Sequence, residues 1–237
     1  MKRFFSLTFY LFLLLFAAFF VQACGTAPKP HDYNAYLSHM PVSILVLPPR
    51  NESTEVMAPY IYLSTVTRPL AERGYYVFPV AVIDMLMKEN GVPSPDEMAQ
   101  VSLKKIREII HPDAVLYMTV KEWGTKYMVL NSTTTVCLSG QLVDTETGIV
   151  LWQGEYRTIK NSNDGQQGII AMLVSAVIHQ IVNTISDPTR DLAQLNNGRM
   201  FLNERNGLLL GKRHSQFESD QRSHREIMNR TAAENNP

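Results

Sequence analysis

The stretch DAVLYMTVKEWGTKYMVLNSTTTVCLSGQLVDTETGIVLWQGEYRTIK, residues 113–160, decides the fold class of this chain. Apolar and polar residues alternate along it, and it is rich in β-branched residues, which favour extended backbone. The pattern predicts strands over residues 115–120, 127–143 and 149–158. Residues 144–148, DTETG, combine polar turn formers with a glycine that can adopt a positive φ, so they predict a hairpin turn.

Short strands and several helices are predicted before this meander. Residues 42–47 and 75–78 are apolar runs typical of buried strands. Helical patterns cover residues 59–73, 82–89 and 94–110. Pro69 is expected to kink the first helix or to start a second one, because proline cannot donate the intrahelical hydrogen bond. SPDE, residues 94–97, has the Ser and Glu of a capping box and is the clearest helix start in the chain.

The sequence after the meander predicts a further helix and a polar tail. Isoleucines and valines between Ile170 and Ile185 recur at helical spacing and predict an amphipathic helix packed on the sheet. Another helix is expected over residues 190–206. Residues 212–237 contain few apolar residues and no periodicity, which predicts a disordered tail. The fold class predicted is α/β, a mixed β-sheet with helices packed on it, in one domain over residues 41–211.

The amino-terminal segment predicts a lipoprotein signal peptide over residues 1–23. A basic start is followed by FFSLTFYLFLLLFAAFFV, residues 4–21, which is generous for a signal peptide and barely long enough for a membrane span. VQAC, residues 21–24, resembles a bacterial lipobox, which implies acylation of Cys24 and cleavage before it. A plain anchor helix that happens to end in cysteine is the alternative. Residues 24–40 are polar and predict a tether between the lipid and the domain.

Charge and cysteine content argue against nucleic-acid binding and against an intrachain disulfide. The chain has 22 basic and 22 acidic residues, and removal of the signal peptide takes away only Lys2 and Arg3, so the mature protein is close to neutral. No basic surface is available to bind a phosphate backbone, and nucleic-acid binding is not expected. With Cys24 acylated, Cys137 has no intrachain partner and is interpreted as a small buried hydrophobe.

No catalytic, cofactor-binding or metal-binding motif is found in the sequence, so a non-enzymatic protein is expected. A hydrolase with Cys137 or an unrecognised serine as its nucleophile is the enzymatic alternative. The loop after the first strand offers Arg50, Asn51 and Ser53 at the carboxyl end of a strand, where α/β sheets commonly bind partners. A turn in which Asn51 and Ser53 satisfy local backbone groups is the alternative. Leu209, in the apolar run GLLLG, is a second candidate for partner binding.

Four stretches occur together in an informative order: SILVLPPRNES at 43–53, PLAERGYYV at 69–77, DAVL at 113–116 and VDTETGIVLW at 143–152. As a set they resemble a family of bacterial lipoproteins of unknown function, the GNA type. They are also similar to features of CsgG, the amino-terminal domain of TolB, and lipoprotein activators of peptidoglycan synthases. The resemblance implies an outer-membrane lipoprotein with a periplasmic, TolB-like α/β sandwich. No catalytic residue is implied.

The leading functional hypothesis is a lipid-anchored accessory or adaptor subunit of an envelope transport or surface-assembly complex. Regulation of peptidoglycan synthesis is the alternative within the class of binding proteins. Gly25 follows Cys24, where the resemblance implies Asp in lipoproteins retained at the inner membrane, so the outer membrane is expected. A homodimer is predicted through Leu209 and through residues 127–143, taken as an edge strand with unpaired backbone groups. A CsgG-like lipoprotein is the other partner considered for the same surface.

Overall fold

The computed structural model describes residues 32–127, 132–161, 188–203 and 206–234. The signal peptide, Cys24 and the helix predicted between Ile170 and Ile185 lie outside these residues. No helix in the described ranges combines the length and the hydrophobicity that a membrane crossing requires.

Six strands form one mixed sheet, which confirms the predicted fold class. They are β1 (Ser43–Val46), β2 (Arg50–Asn51), β3 (Tyr76–Val77), β4 (Ala114–Tyr127), β5 (Ser132–Asp144) and β6 (Val150–Asn161). The strand order is β3-β1-β4-β5-β6, and β2 pairs with β4 beyond the end of β1. Strand β1 is parallel to both of its neighbours, whereas β4, β5 and β6 form an antiparallel meander.

Helices pack on both faces of this sheet. They are α1 (Asn34–His39), α2 (Ala58–Glu72), α3 (Val80–Glu89), α4 (Pro95–Met98), α5 (Leu103–Ile110), α6 (Pro188–Phe201) and α7 (Phe217–Glu234). The larger core lies on the face that carries α1, α2 and α6. Leu116, Leu138 and Trp152 extend from the sheet into it and contact helical residues such as Tyr62 and Leu192. Each such side chain contributes about 1.5–3 kcal/mol by its removal from water.

A smaller core lies on the opposite face of the sheet. Leu45 and Val115 extend from β1 and β4 toward Ile83 of α3, Met98 of α4 and Ile106 of α5. Both cores follow from the same strands, because neighbouring residues of a strand point to opposite faces. Among the described residues, the helices of this face pack on β1 and the start of β4. Farther along β4 and on β5 and β6, the side chains of this face are mostly polar.

The predicted hairpin turn and capping box are both present. Asp144 Oδ1 accepts hydrogen bonds from the backbone N–H groups of Glu146 and Thr147, at 3.1 and 2.7 Å. Gly148 closes this turn with a φ of +72°, a conformation that glycine adopts without steric cost. At the start of α4, the Ser94 hydroxyl accepts from the Glu97 N–H at 3.2 Å, and the Glu97 carboxylate accepts from the Ser94 N–H.

Several predicted element boundaries are wrong. The first meander strand continues past the bulge at Lys121 to Tyr127. Tyr127 thus belongs to this strand, and the described part of the second strand begins at Ser132. Strand β5 lies between β4 and β6, so the prediction that residues 127–143 form an edge is wrong. Residues 94–110 form two helices, because Ser102 starts the second with its own hydroxyl cap.

Helix α2 continues through Pro69 and ends at Glu72, so no second helix starts at this proline. The proline lies in the last turn of the helix, where the loss of a single backbone hydrogen bond affects few residues. Pro69 does remove a backbone hydrogen bond, as its sequence position indicates. Because it lies near the end of the helix, the interruption is small.

The predicted tether includes part of the folded domain. Residues 34–39 form α1, and Tyr33 and Tyr36 are buried in the larger core. A polar composition did not reveal this, because two tyrosines can bury large apolar surfaces while their hydroxyls form hydrogen bonds. The folded domain therefore includes Tyr33 and α1, so the predicted amino-terminal boundary at residue 41 is too late.

The predicted disordered tail is also wrong for the described residues after 211. Residues 217–234 form α7, and Met228 packs against the larger core. Asp220 Oδ2 accepts a hydrogen bond from the Leu210 N–H at 2.9 Å, which ties α7 to the preceding segment. The segment docks through these few contacts rather than through a regular apolar stripe, which explains why the sequence pattern did not show it.

Candidate functional site

An open cleft of about 810 Å³ lies over the part of the sheet that no described helix covers. Its floor is made by β4, β5 and β6, and one side is bounded by the loop after β1 and by Ala99 at the end of α4. The floor side chains are mostly polar: Tyr117, Thr119, Lys121, Ser139, Gln141, Gln153 and Glu155. The cleft is the candidate site for binding a partner.

Strand register explains why the floor is polar. Tyr117, Gln141 and Gln153 are opposite one another on three neighbouring strands. The adjacent row, Met118 with its two partner glycines, belongs to the opposite face and the larger core. Alternate positions of these strands therefore supply the core on one side and the polar floor on the other.

A β-bulge adds charge to the cleft. Val120 pairs with Leu138 and Glu122 pairs with Cys137, so Lys121 is the extra residue on β4. A bulge bends the strand and redirects side chains. In this one, Lys121 Nζ reaches Glu155 Oε2 on β6, at 2.6 Å, across the strand that lies between them.

The charged groups in and beside the cleft form pairs. Besides Lys121 and Glu155, Arg157 pairs with Glu122. These side chains are about half exposed, and such exposed pairs typically contribute less than about 1 kcal/mol each. The hydrogen bond with Glu155 raises the pKa of Lys121. The pairs leave the floor nearly neutral and fix the positions of its charges.

Of the three residues predicted in the loop after β1, the structure brings only Arg50 to the cleft. Its Nε lies 3.3 Å from Asp96 Oδ1, and its side chain lines the cleft wall. Asn51 Oδ1 accepts from the Ser53 N–H and hydroxyl at 3.1 and 2.7 Å, and Asn51 Nδ2 donates to the Glu55 carbonyl at 2.8 Å. Asn51 and Ser53 thus form the local turn that the sequence offered as the alternative.

The prediction that Leu209 is an exposed apolar contact is wrong. Leu209 is 2% exposed and belongs to the larger core, together with Leu208. The Tyr75 hydroxyl donates to its carbonyl at 2.6 Å, so the apolar run packs on its own domain. The homodimer surface predicted at this residue is therefore not available.

Cys137 is buried, as interpreted from the sequence, and lies on the same strand as the cleft residues Ser139 and Gln141. Burial raises the pKa of its thiol, and the neighbouring Glu155 carboxylate raises it further. Reactive cysteines require the opposite environment, one that stabilises the thiolate. Within the described ranges, no group of three His, Cys, Asp or Glu side chains could hold a metal ion.

Sequence reasoning missed the floor residues Gln141 and Gln153. Their alternation with apolar residues on β5 and β6 was visible, and it predicts one polar face. Which part of that face the helices leave open depends on where α3, α4 and α5 pack, and a single sequence does not show this. The signal available was the register of the hairpin, which places these two glutamines opposite each other.

The mixed sheet with helices packed on it makes this protein a small α/β domain, and its open cleft lies on one face of that sheet. Residues 31–213 match the family model described as "Putative lipoprotein GNA1162-like", and the chain belongs to this family. This confirms the GNA-type resemblance. "Putative lipoprotein NMB1124/NMB1162" from Neisseria meningitidis serogroup B is 41% identical over 178 residues, which cover 75% of this chain and 83% of the relative. Membership of this lipoprotein family implies that the protein is anchored to a membrane of the cell envelope.

A solved structure of a protein similar to this chain has the same fold. The crystal structure of lipoprotein GNA1162 from Neisseria meningitidis is 45% identical, with a TM-score of 0.50, over 60% of this chain and 99% of that chain. The LpoB carboxy-terminal domain from Salmonella enterica is 19% identical, with a TM-score of 0.37, over 60% of this chain and 90% of that chain.

Proposed function

We propose that this protein is a non-enzymatic adaptor or accessory subunit of an envelope transport or surface-assembly complex. It is anchored by acyl chains on Cys24 in the bacterial outer membrane, with its domain in the periplasm. Its partners are a CsgG-like lipoprotein and a second copy of the chain. The adaptor role is inferred from the open polar cleft over β4, β5 and β6.

The cleft suits a protein surface better than a small molecule. Pockets for small molecules are mostly apolar and enclose most of their ligand. This cleft is open and offers the amides of Gln141 and Gln153 and the hydroxyls of Thr119 and Ser139. Such groups form hydrogen bonds with many partners, and the rigid strands below them hold them at fixed spacing. Because the charges of the cleft are paired, they orient a bound partner rather than attract it with a strong electric field.

The environment of Cys137 argues against the hydrolase alternative. A nucleophilic cysteine needs a base or a positive environment that favours the thiolate. Here burial and the Glu155 carboxylate, whose Oε1 lies 3.9 Å from the thiol, raise the pKa of Cys137, and this outweighs the opposing effect of the Lys121 charge. The cleft therefore supports binding rather than covalent catalysis at this residue.

Photo-crosslinking from inside the cleft tests the adaptor role. A photoreactive amino acid replaces Gln141, an exposed residue of the central cleft strand, in the full-length chain expressed in its own bacterial envelope. The matched control replaces Arg68, an exposed residue of α2 outside the cleft. We expect an adduct from position 141, and not from position 68, that contains a component of a transport or surface-assembly complex.

The identity of the adduct separates the candidate functions. A peptidoglycan synthase crosslinked from position 141 would favour the regulator of wall synthesis instead. Equal adducts from positions 141 and 68 would show that the cleft has no special role. If position 141 gives no adduct while the protein is folded and membrane-bound, the cleft is not the adaptor site.

A further inference from the structure

Strand β6 is a long edge of the sheet. Among the described residues, it pairs with β5 over Val150–Asn161 and with no strand on its other side. The backbone groups that point away from β5 can therefore accept another strand. Unpaired edges of this length are uncommon in stable proteins unless something covers them or discourages pairing.

The side chains of β6 have a self-complementary order. Glu155 and Arg157 lie on the cleft side of the sheet, separated by Tyr156, and both are about half exposed. When two copies of one strand pair antiparallel about a two-fold axis, one residue lies opposite itself at the centre. If Tyr156 is that residue, Glu155 of each copy lies opposite the partner's Arg157.

The neighbouring registers are unfavourable. If the axis passes through Glu155, two carboxylates lie directly opposite each other. If it passes through Arg157, two guanidinium groups do. Like charges opposite each other destabilise a strand pair, and opposite charges contribute roughly 0.2–1 kcal/mol. The charges of β6 thus select one register out of three.

We propose that a second copy of this chain binds at β6, in an antiparallel two-fold pairing centred on Tyr156. The two sheets then form one continuous sheet across the dimer. The charged pairs join into a row in which Lys121, Glu155, the partner's Arg157 and the partner's Glu122 alternate in sign. Attachment of both copies to one membrane raises their effective concentration, so a contact of modest affinity is sufficient.

This interface deepens the self-association included in the proposed function, and it replaces the surface expected at Leu209. It does not require any particular partner in the cleft. The cleft is tested at Gln141 on β5, whereas the dimer is tested on β6. Failure of one experiment therefore leaves the other interpretable.

Disulfide crosslinking tests the register directly. The full-length chain carries Cys137→Ser, and two differently tagged copies are expressed together in one bacterial envelope. Residues that lie opposite each other in a strand pair are close enough for a disulfide, whereas a residue two positions away is not. Under mild oxidation, Tyr156→Cys is expected to give a dimer that contains both tags. Glu155→Cys and Arg157→Cys, each alone, are expected to give several-fold less.

A second pair of variants avoids any loss of stability at Tyr156, which packs partly on the core. In the proposed register Gln153 lies opposite the partner's Ile159, and both side chains are exposed. One tagged copy carries Gln153→Cys and the other Ile159→Cys. A mixed disulfide is expected when the two are expressed together, and little product when either is expressed alone.

Charge reversal tests the reason for the register. Arg157→Glu or Glu155→Arg, added to Tyr156→Cys, is expected to reduce crosslinking several-fold, and the two reversals together are expected to restore it. Self-crosslinking from position 155 or 157 rather than 156 would overturn the register. Absence of a two-tag product from both designs, with the protein in the membrane and folded, would overturn the dimer.

Discussion

The Tyr75 hydroxyl donates a hydrogen bond to the Leu209 carbonyl, 2.6 Å away and 134 positions later in the chain. It also contacts the hydroxyl of Tyr36. Burial raises the pKa of both phenols, so both are protonated at neutral pH. A phenol has a single hydrogen, and that of Tyr75 goes to Leu209, so Tyr36 must donate to the oxygen of Tyr75. This short chain of hydrogen bonds joins α1 to the segment after α6.

The direction of these hydrogen bonds predicts unequal effects of two similar substitutions. Tyr75→Phe removes the acceptor of Tyr36 and leaves the Leu209 carbonyl without this donor, and is expected to cost about 1–3 kcal/mol of unfolding free energy. Tyr36→Phe removes one donor and leaves Tyr75 bonded to Leu209, so it is expected to cost about 0.5–1.5 kcal/mol. Urea unfolding of the full-length protein in detergent measures both.

Tyr127→Phe provides the control, because Tyr127 is the most exposed large hydrophobic side chain on the sheet. Its unfolding midpoint is expected to match that of the unchanged protein. If Tyr36→Phe were the more damaging of the two buried substitutions, the proposed direction of the hydrogen bonds would be wrong.

Gly74 and Gly91 separate the effect of crowding from that of backbone conformation. Both glycines have a positive φ, +87° and +79°. A Cβ on Gly74 would lie 2.5 Å from the His214 nitrogen, whereas one on Gly91 would meet open space. Gly91→Ala is therefore expected to cost about 1–2 kcal/mol, from conformation alone.

Gly74→Ala is expected to cost a further amount of about 1–3 kcal/mol, because the backbone around residue 214 cannot move without shifting the docked segment. Thermal unfolding of the two variants side by side measures the difference. Equal melting temperatures of the two variants would show that the segment after Gly211 does not pack against Gly74 in solution.

Asp220 is expected to make the attachment of α7 depend on pH. Burial alone would raise the pKa of its carboxyl, but hydrogen bonds from His224 and the Leu210 N–H, together with the charge of Arg73, lower it overall. A lowered pKa means that the carboxylate stabilises the fold fully above its unfolded pKa of about 3.9. This contribution is lost as the pH falls through the lower, folded value.

Asp220→Asn tests this contribution, because asparagine keeps an oxygen that can accept from Leu210 but carries no charge. The loss of unfolding free energy caused by the substitution is expected to be fully present just above the unfolded pKa of the carboxyl, about 3.9. It should shrink as the pH falls below about 3.9. Asp191→Asn, at an exposed residue of α6, is the control. A loss that persisted unchanged at low pH would contradict a role for the charge.

The meander and its turn could be predicted from sequence because their signals are local. Alternation in β4 to β6 and the DTETG turn depend on neighbours a few residues apart, and the structure confirms both. Strand ends were less predictable, because the bulge at Lys121 lets β4 continue past the expected end at Val120. No local pattern marks a bulge of this kind.

The two ends of the folded unit could not be predicted, because contacts over long distances in sequence create them. Tyr33 donates to the Gly207 carbonyl at 2.6 Å, and Trp152 Nε1 donates to the Asn206 carbonyl at 2.8 Å. Neither donor nor acceptor is unusual in its own segment. The open cleft was missed for the same reason, since it lies on the part of the sheet that the described helices leave uncovered.

Cys137 is expected to react slowly in the folded protein. The thiolate is the reactive form of cysteine, and burial together with the Glu155 carboxylate raises the pKa of this thiol. Iodoacetamide at neutral pH should alkylate it many-fold faster after unfolding in urea, as measured by mass spectrometry. Glu155→Gln is expected to increase the rate in the folded protein modestly. Fast alkylation of the folded protein would reopen the hydrolase alternative.

Acylation of Cys24 is the remaining prediction, and the two cysteines of the chain provide a matched pair for it. The lipobox-like VQAC sequence predicts that labelled palmitate enters the unchanged protein and the Cys137→Ser variant equally, because Cys137 is buried in the sheet. Cys24→Ala should abolish the label. Cys24→Ala should also be lost from the membrane fraction. The exception is a protein whose apolar segment stays uncleaved and holds it in the membrane, and the mobility of the band on a gel would reveal that uncleaved segment. Incorporation of label that survived Cys24→Ala would contradict the lipid anchor.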